Sequence, residues 1–359
     1  MIARAAALAP LVALLLIAPA AGSTREQREE VAAFDVPPPT VPFRDVVLAS
    51  PNRAAARATA SDTSGQYPVN DAEGRTVTIT VSTACTLSCT HANPQSIASF
   101  LGTLPHRGEI GLLTVSVVTP SEIDITCGPT ALACYFFLQD RMVINGNDSG
   151  PMPPDGAFRD FVIAHEYGHH LANHRSNPPL EPTIDYGPKY WATYERVCEG
   201  VRDGAYFPGD EGDHYYDNPG EAFAEAFGNL RFPNQVIWNW NHSLKPDSMA
   251  FAAIDRDATD PWESRTRVTK RGEVPRRRAR RRFAIPLDGT FTLKLSGPFQ
   301  ADLELILRDL SGHTLGRSDG LGSKERVGFT VCGEAAVRAI VKRTGFDDDG
   351  RFKLTAIRP

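Results

Sequence analysis

Phe158, Phe161, Val162, His165, His169 and Ala172 recur at steps of three and four residues, the spacing that lines one face of an α-helix. Any fold of this chain must therefore bury a helix whose apolar stripe carries two imidazoles. Pro153, Pro154 and Asp155 predict its start, with Asp155 as the cap, and Asn173 followed by Pro178-Pro179 predicts its end. Residues four apart stand one above the other, so His165 and His169 can offer ring nitrogens to one metal ion. Glu166 completes a His-Glu-x-x-His pattern, placed to take a proton from a water at that metal. Two histidines merely satisfied in a helical core would explain neither the pairing nor Glu166.

Residues 1–22 hold an early Arg, an apolar run from Leu8 to Ile17 and the small residues Ala18 to Ala21. That order predicts a secretory signal peptide. No later run is long and apolar enough for a membrane span. Six cysteines, Cys85, Cys89, Cys127, Cys134, Cys198 and Cys332, suit an oxidising compartment and do not by themselves fix their pairing. The short-loop pairs Cys85–Cys89 and Cys127–Cys134 are expected, leaving Cys198 and Cys332 to join two regions. No spacing among them is that of a zinc finger.

The 359 residues carry a net charge of −5, which argues against nucleic acid as the main partner. The expected class is α+β: a catalytic part of mixed sheet and active-site helices, followed by a small all-β sandwich. Residues 23–70, rich in Ala, Pro and Ser, read as an extended leader or short propeptide. Residues 71–262 form the main domain. In it, strands are expected at Thr76 to Ser82, Ile110 to Thr119 and Tyr135 to Ile144, with helices at Pro94 to Leu104 and Tyr190 to Arg202. Residues 263–282 end in six arginines within seven positions, Arg276 to Arg282, expected to be a solvated basic linker. Residues 283–359 alternate in about six short strands, the pattern of a sandwich. Asp347, Asp348 and Asp349 fall in an expected turn there; a calcium site is conceivable, but a solvated turn is the preferred reading.

A catalytic zinc needs a third protein ligand and an open position. Asn218-Pro219-Gly220-Glu221 reads as a helix start, which puts Glu221 and Glu225 on one face. One carboxylate can bind the ion while the other accepts the free N–H of a ligating histidine. Glu221 also occupies the capping-box position after Asn218. With two histidines committed and a third ligand missing, the ligand role is preferred, with Glu225, Glu195 and Glu199 as alternatives. His214, Tyr215 and Tyr216 precede this helix and are candidate donors to a developing oxyanion, the two tyrosines ranked first.

The pair of segments resembles the gluzincin group of zinc metallopeptidases, and Glu221-Ala-Phe-Ala-Glu225-Ala-Phe is similar to the lethal-factor-type peptidases. The resemblance spans about residues 155–230. It implies that Glu221 ligates zinc and that Glu225 supports a histidine from behind. Ala172 and Arg175 stand where a metzincin has Gly and a third His, and the distance from His169 to Glu221 exceeds the compact thermolysin-like pattern. The stretches Phe291 to Pro298, Ala301 to Leu307 and Gly350 to Leu354 resemble the bacterial pre-peptidase C-terminal domain, which implies an accessory role.

The expectation is thus a secreted, monomeric zinc endopeptidase acting on protein or peptide. His165, His169 and Glu221 hold one Zn2+, Glu166 is the general base, Tyr215 or Tyr216 assists, and Glu225 backs a histidine. The alternative is a non-catalytic surface-binding or adhesion module with a structural or vestigial zinc site.

Overall fold

Val77, Ile79 and Val81 alternate with threonines and form an interior strand of a mixed sheet, apolar side chains fully inward. The computed structural model describes residues 47–48, 62–129, 131–147, 157–233, 238–344 and 350–359. The signal segment, the cap at Asp155 and the turn at Asp347 to Asp349 lie outside the described residues, as does most of the leader. In chain order the first strands are β1 (Val47–Leu48), β2 (Thr63–Pro68), β3 (Thr76–Val81), β4 (Thr114–Val118), β5 (Ala133–Phe136) and β6 (Arg141–Asn145). They stand side by side as β1-β5-β6-β4-β3-β2. The β3–β4, β4–β6 and β1–β5 pairs are parallel, the others antiparallel.

The helices are α1 (Thr83–Ser88), α2 (Pro94–Leu101), α3 (Pro120–Thr126), α4 (Ala157–Asn173), α5 (Thr183–Tyr186), α6 (Lys189–Tyr194), α7 (Val197–Arg202), α8 (Pro219–Arg231) and α9 (Ser248–Thr259). α4 carries the expected stripe: it rests on β5 and β6 and receives α8. Tyr167, Trp191, Phe223 and Phe227 fill the core around it.

Two sheets follow, built from β7 (Thr266–Glu273), β8 (Arg278–Ile285), β9 (Gly289–Ser296), β10 (Leu303–Arg308), β11 (Thr314–Ser318), β12 (Lys324–Val331), β13 (Ala335–Arg343) and β14 (Arg351–Arg358). Their orders are β11-β10-β13-β8 and β12-β9-β14-β7. Inward Phe283, Phe291, Leu305, Val341 and Leu354 share one core, so the pair is a sandwich.

The described chain is mixed α+β, and several boundaries differ from expectation. Residues 63–68, assigned to the leader, pair with Thr76 to Val81 as an edge strand; the side-chain amide of Gln66 donates to Thr78 across it, which polar composition hides. The arginine run is no linker. Alternating Arg278, Ala279, Arg280, Arg281, Arg282 and Phe283 put Ala279 and Phe283 inside, so the run from Arg278 onward is strand β8. Expected single elements also break. Asp140, with φ of 48°, turns Tyr135 to Ile144 into a hairpin, and left-handed Arg196 divides the helix expected from Tyr190 to Arg202. The residues before Leu113 form a 3₁₀ turn rather than strand.

The three expected disulfides are present, Cys85–Cys89, Cys127–Cys134 and Cys198–Cys332. The last joins the helical part to the sandwich across 134 residues of sequence, removing about 4–5 kcal/mol of unfolded-chain entropy in the loop-closure view. Among the described residues no helix is long and apolar enough to cross a membrane.

Asp257 of α9 accepts the backbone N–H groups of Tyr190 and Trp191 at 3.1 and 2.8 Å, capping α6 from a neighbouring helix. Complete burial nonetheless pushes its carboxyl up to about 7. Because the folded pKa is raised, this group's contribution is fully present below its unfolded pKa and is lost as pH rises to about 7. Asp257→Asn removes that dependence. Calorimetric melting of wild type and variant between pH ~4 and ~7 should show the wild type losing stability relative to the variant; parallel profiles would contradict the assignment.

Candidate metal centre

Pro219 opens α8, and Asn218 caps it by accepting the N–H of Gly220 at 3.0 Å. Glu221 is therefore not spent on a capping box. Its carboxylate turns instead toward α4, where Gly168 permits a close crossing: a Cβ there would stand 2.8 Å from Cα of Ala224. The crossing brings His165, His169 and Glu221 together, all buried.

The two imidazole nitrogens lie against each other, and each faces one oxygen of the Glu221 carboxylate. His165 Nε2 and His169 Nε2 are 3.2 Å apart, His165 Nε2 and Glu221 Oε2 3.6 Å, and His169 Nε2 and Glu221 Oε1 3.5 Å. Ligands held at about 2.0–2.1 Å around a tetrahedral zinc stand about 3.3 Å from one another. The residues fit the ion. His165 Nδ1 lies 3.0 Å from Glu225 Oε2, so the ring donates there and turns the Nε2 lone pair toward the trio. The i, i+4 spacing of Glu221 and Glu225 places one at the centre and one behind it.

Charge makes the same case. Glu166, Glu221 and Glu225 are each at most 1% exposed. Burying carboxylates is costly unless a cation offsets it. Among the described residues the ionic partners of Glu221 are His165 and His169 alone. A divalent ion held among these three residues would supply compensating charge.

Of the expected oxyanion donors, Tyr215 reaches the centre: its hydroxyl donates to Glu221 Oε2 at 3.1 Å. Tyr216 is 41% exposed, its ring 5.3 Å from that of Tyr215. His214 stacks on Phe207 at 3.7 Å, outside the cluster. Of the alternative ligands, Glu199 pairs with Arg196, and Glu195, buried at the end of α6, is outside the donor cluster. Trp240 was not anticipated. Its ring lies 6.1 Å from His165 and 6.2 Å from both tyrosines, and no local spacing signals a side chain that arrives from a loop.

A second group on α4 tests the geometric criterion. His170 and His174 also stand four apart and meet Asp140 of the β5–β6 turn. There the separations are those of hydrogen bonds: His174 Nε2 is 2.7 Å from Asp140 Oδ1, and Tyr135 hydroxyl stands 2.9 Å from His170 Nδ1 and 3.0 Å from Asp140 Oδ1. His170 Nε2 donates to the Glu109 carbonyl at 2.9 Å. These groups satisfy one another and fasten α4 to the sheet.

No protein-family model matches this chain, and no curated protein matches its sequence. Among solved structures it is similar to the pre-peptidase C-terminal domain of collagenase from Bacillus anthracis, at 12% identity over 25% of this chain and 87% of that one, with a TM-score of 0.22.

Two outcomes follow from the geometry. Purified protein should bind one zinc per chain by elemental analysis; Glu221→Ala and His169→Ala should lose it, whereas His174→Ala should keep it. A second bound ion that vanished with His174 would refute the distinction drawn between the clusters. Gly168→Ala, ordinarily stabilising inside a helix, should instead cost about 1–3 kcal/mol in denaturant unfolding through overpacking against Ala224.

Proposed function

We propose that the chain is a secreted zinc endopeptidase with a zincin-like catalytic part, in which His165, His169 and Glu221 hold the metal. The observation that carries this reading is the convergence of His165 Nε2, His169 Nε2 and the two Glu221 carboxylate oxygens, with contacts of 3.2 to 3.6 Å, beside the buried Glu166 of the same helix as the two histidines. The three disulfides suit an exported protein, and the sandwich serves as an accessory domain.

His165, His169 and Glu221 would hold a zinc ion, which would supply Lewis acidity toward a peptide carbonyl and toward water. The protein's own groups do the rest. Glu166 takes the proton of the attacking water and delivers it to the departing amine nitrogen, so one carboxylate acts as base and then as acid. Glu225 holds the Nδ1 proton of His165, which fixes the tautomer and keeps the other ring nitrogen a ligand. Tyr215 steadies Glu221 and carries its hydroxyl at the edge of the trio, where it can donate to the carbonyl oxygen as negative charge develops. The apolar surroundings, Trp240 among them, strengthen each of these interactions by excluding water.

The near-complete burial of His165, Glu166, His169 and Glu221 favours a second reading, a closed structural metal site in a surface-binding protein. Activity separates the two. With a casein-type substrate, Glu166→Gln should lower kcat/KM by about 10²–10⁴ while keeping one zinc per chain. Unchanged turnover in that variant would end the mechanism; a zinc-loaded wild type that cleaves no peptide would establish the structural reading.

A further inference from the structure

The outward rows of the sheet β11-β10-β13-β8 carry an array of cations that neither the fold nor the metal centre requires. Register puts Arg282 opposite Arg338, and Arg338 opposite Arg308, so three arginines occupy facing positions across three adjacent strands. Arg280 lies in the next outward row, opposite Ile340, and Arg278 in the row after it, opposite Lys342. The single carboxylate on these rows, Glu304, is already engaged by Arg317 at 2.8 Å and Lys342 at 3.2 Å. Among the described residues no carboxylate pairs with Arg278, Arg280, Arg282, Arg308 or Arg338.

Like charges directly opposite one another weaken a sheet. Positions that served only the fold would be better filled by Thr or Val. The array also stands out against a chain whose net charge is −5, so it is a local feature rather than a general basic character. Along β8 the arginines recur every second residue, about 6.6–6.8 Å apart, and neighbouring strands add rows about 4.8 Å away. The face carries rows of positive charge around the buried Ile306 and Ile340.

We infer that this face binds a linear anionic polysaccharide, whose regularly spaced carboxylate or sulfate groups lie along the arginine rows. An extended, flexible polyanion needs no pocket and gains from counterion release at every guanidinium it meets. Single-stranded nucleic acid fits less well. The remaining outward positions of these rows on β8, β13 and β10 are Ala284, Ala336, Ile306 and Ile340, with no aromatic ring on which bases could stack. The sandwich would thus hold the protein on an acidic matrix or cell-surface polymer, independently of any metal.

The test is titration of the intact protein against heparin, polygalacturonate, neutral dextran and single-stranded DNA over a range of salt. Both acidic polysaccharides should bind and dextran should not. The triple variant Arg282→Thr, Arg308→Thr, Arg338→Thr should bind them at least tenfold more weakly, with a salt dependence reduced by about one per arginine removed. Arg202→Thr, an exposed arginine paired with Asp203 outside this face, should change nothing. Because the row repels itself, the triple variant should melt no lower than wild type. Unchanged affinity in that variant, tighter binding of DNA than of both polysaccharides, or a lowered melting point would each overturn the inference.

Discussion

Gly168 against Ala224 sets how closely α4 and α8 cross, and the reach of every donor at the centre follows from that crossing. A glutamate side chain spans only a few ångströms, so a wider crossing would leave Glu221 short of the histidines. The helices also bring three carboxylates into an environment that excludes water. Burying carboxylates is costly unless they are paired or hydrogen-bonded, and Glu221 and Glu225 both lie against the histidines of α4. The packing that brings the helices together therefore also gathers the three residues that could hold a metal ion.

α4 serves two purposes with two faces. His165 and His169 look toward α8, while Tyr167, His170 and His174 look toward the sheet and the β5–β6 turn. Tyr167 donates to Glu109 Oε1 at 3.0 Å, and Arg175 pairs with the same carboxylate at 3.1 Å. That pairing holds the Glu109 carboxyl below its usual range against the opposing effect of burial. The four histidines of residues 165–174 thus divide by helical angle into a donor pair and an anchoring pair. Composition alone could not separate them; the distances do.

How much of this was legible depended on whether the interactions are local. His165, Glu166 and His169 could be read because their relation is one helical turn, and Glu221 and Glu225 because Asn218 and Pro219 announce a helix start. Trp240 could not, since it arrives from a distant loop, nor could the choice between Tyr215 and Tyr216, which depends on how that loop lies. The arginine run was misjudged for a related reason: its charge obscured the two inward residues, Ala279 and Phe283, that make it a strand. Likewise, residues 63–68 offer few apolar side chains, and their place in the sheet rests on backbone pairing that β3 provides.

The sandwich is joined to the helical part by more than peptide linkage. Asp288 donates its backbone N–H to Thr193 Oγ1 at 3.1 Å, and its carboxylate accepts the N–H of Gly333, next to Cys332. Lys189, buried nearby, donates to the Pro178 carbonyl at 2.8 Å and lies over the ring of Trp262. Burial draws the Lys189 amine down to about 8 and pushes the Asp288 carboxyl up to about 6, each partly restrained by the other. With Cys198–Cys332 bonded across the same junction, the two parts cannot reorient as beads on a string would. Arg196, whose left-handed turn starts α7, is what aims Cys198 at that junction. The break in the expected helix thus lies two residues before the cysteine that bonds the helical part to the sandwich.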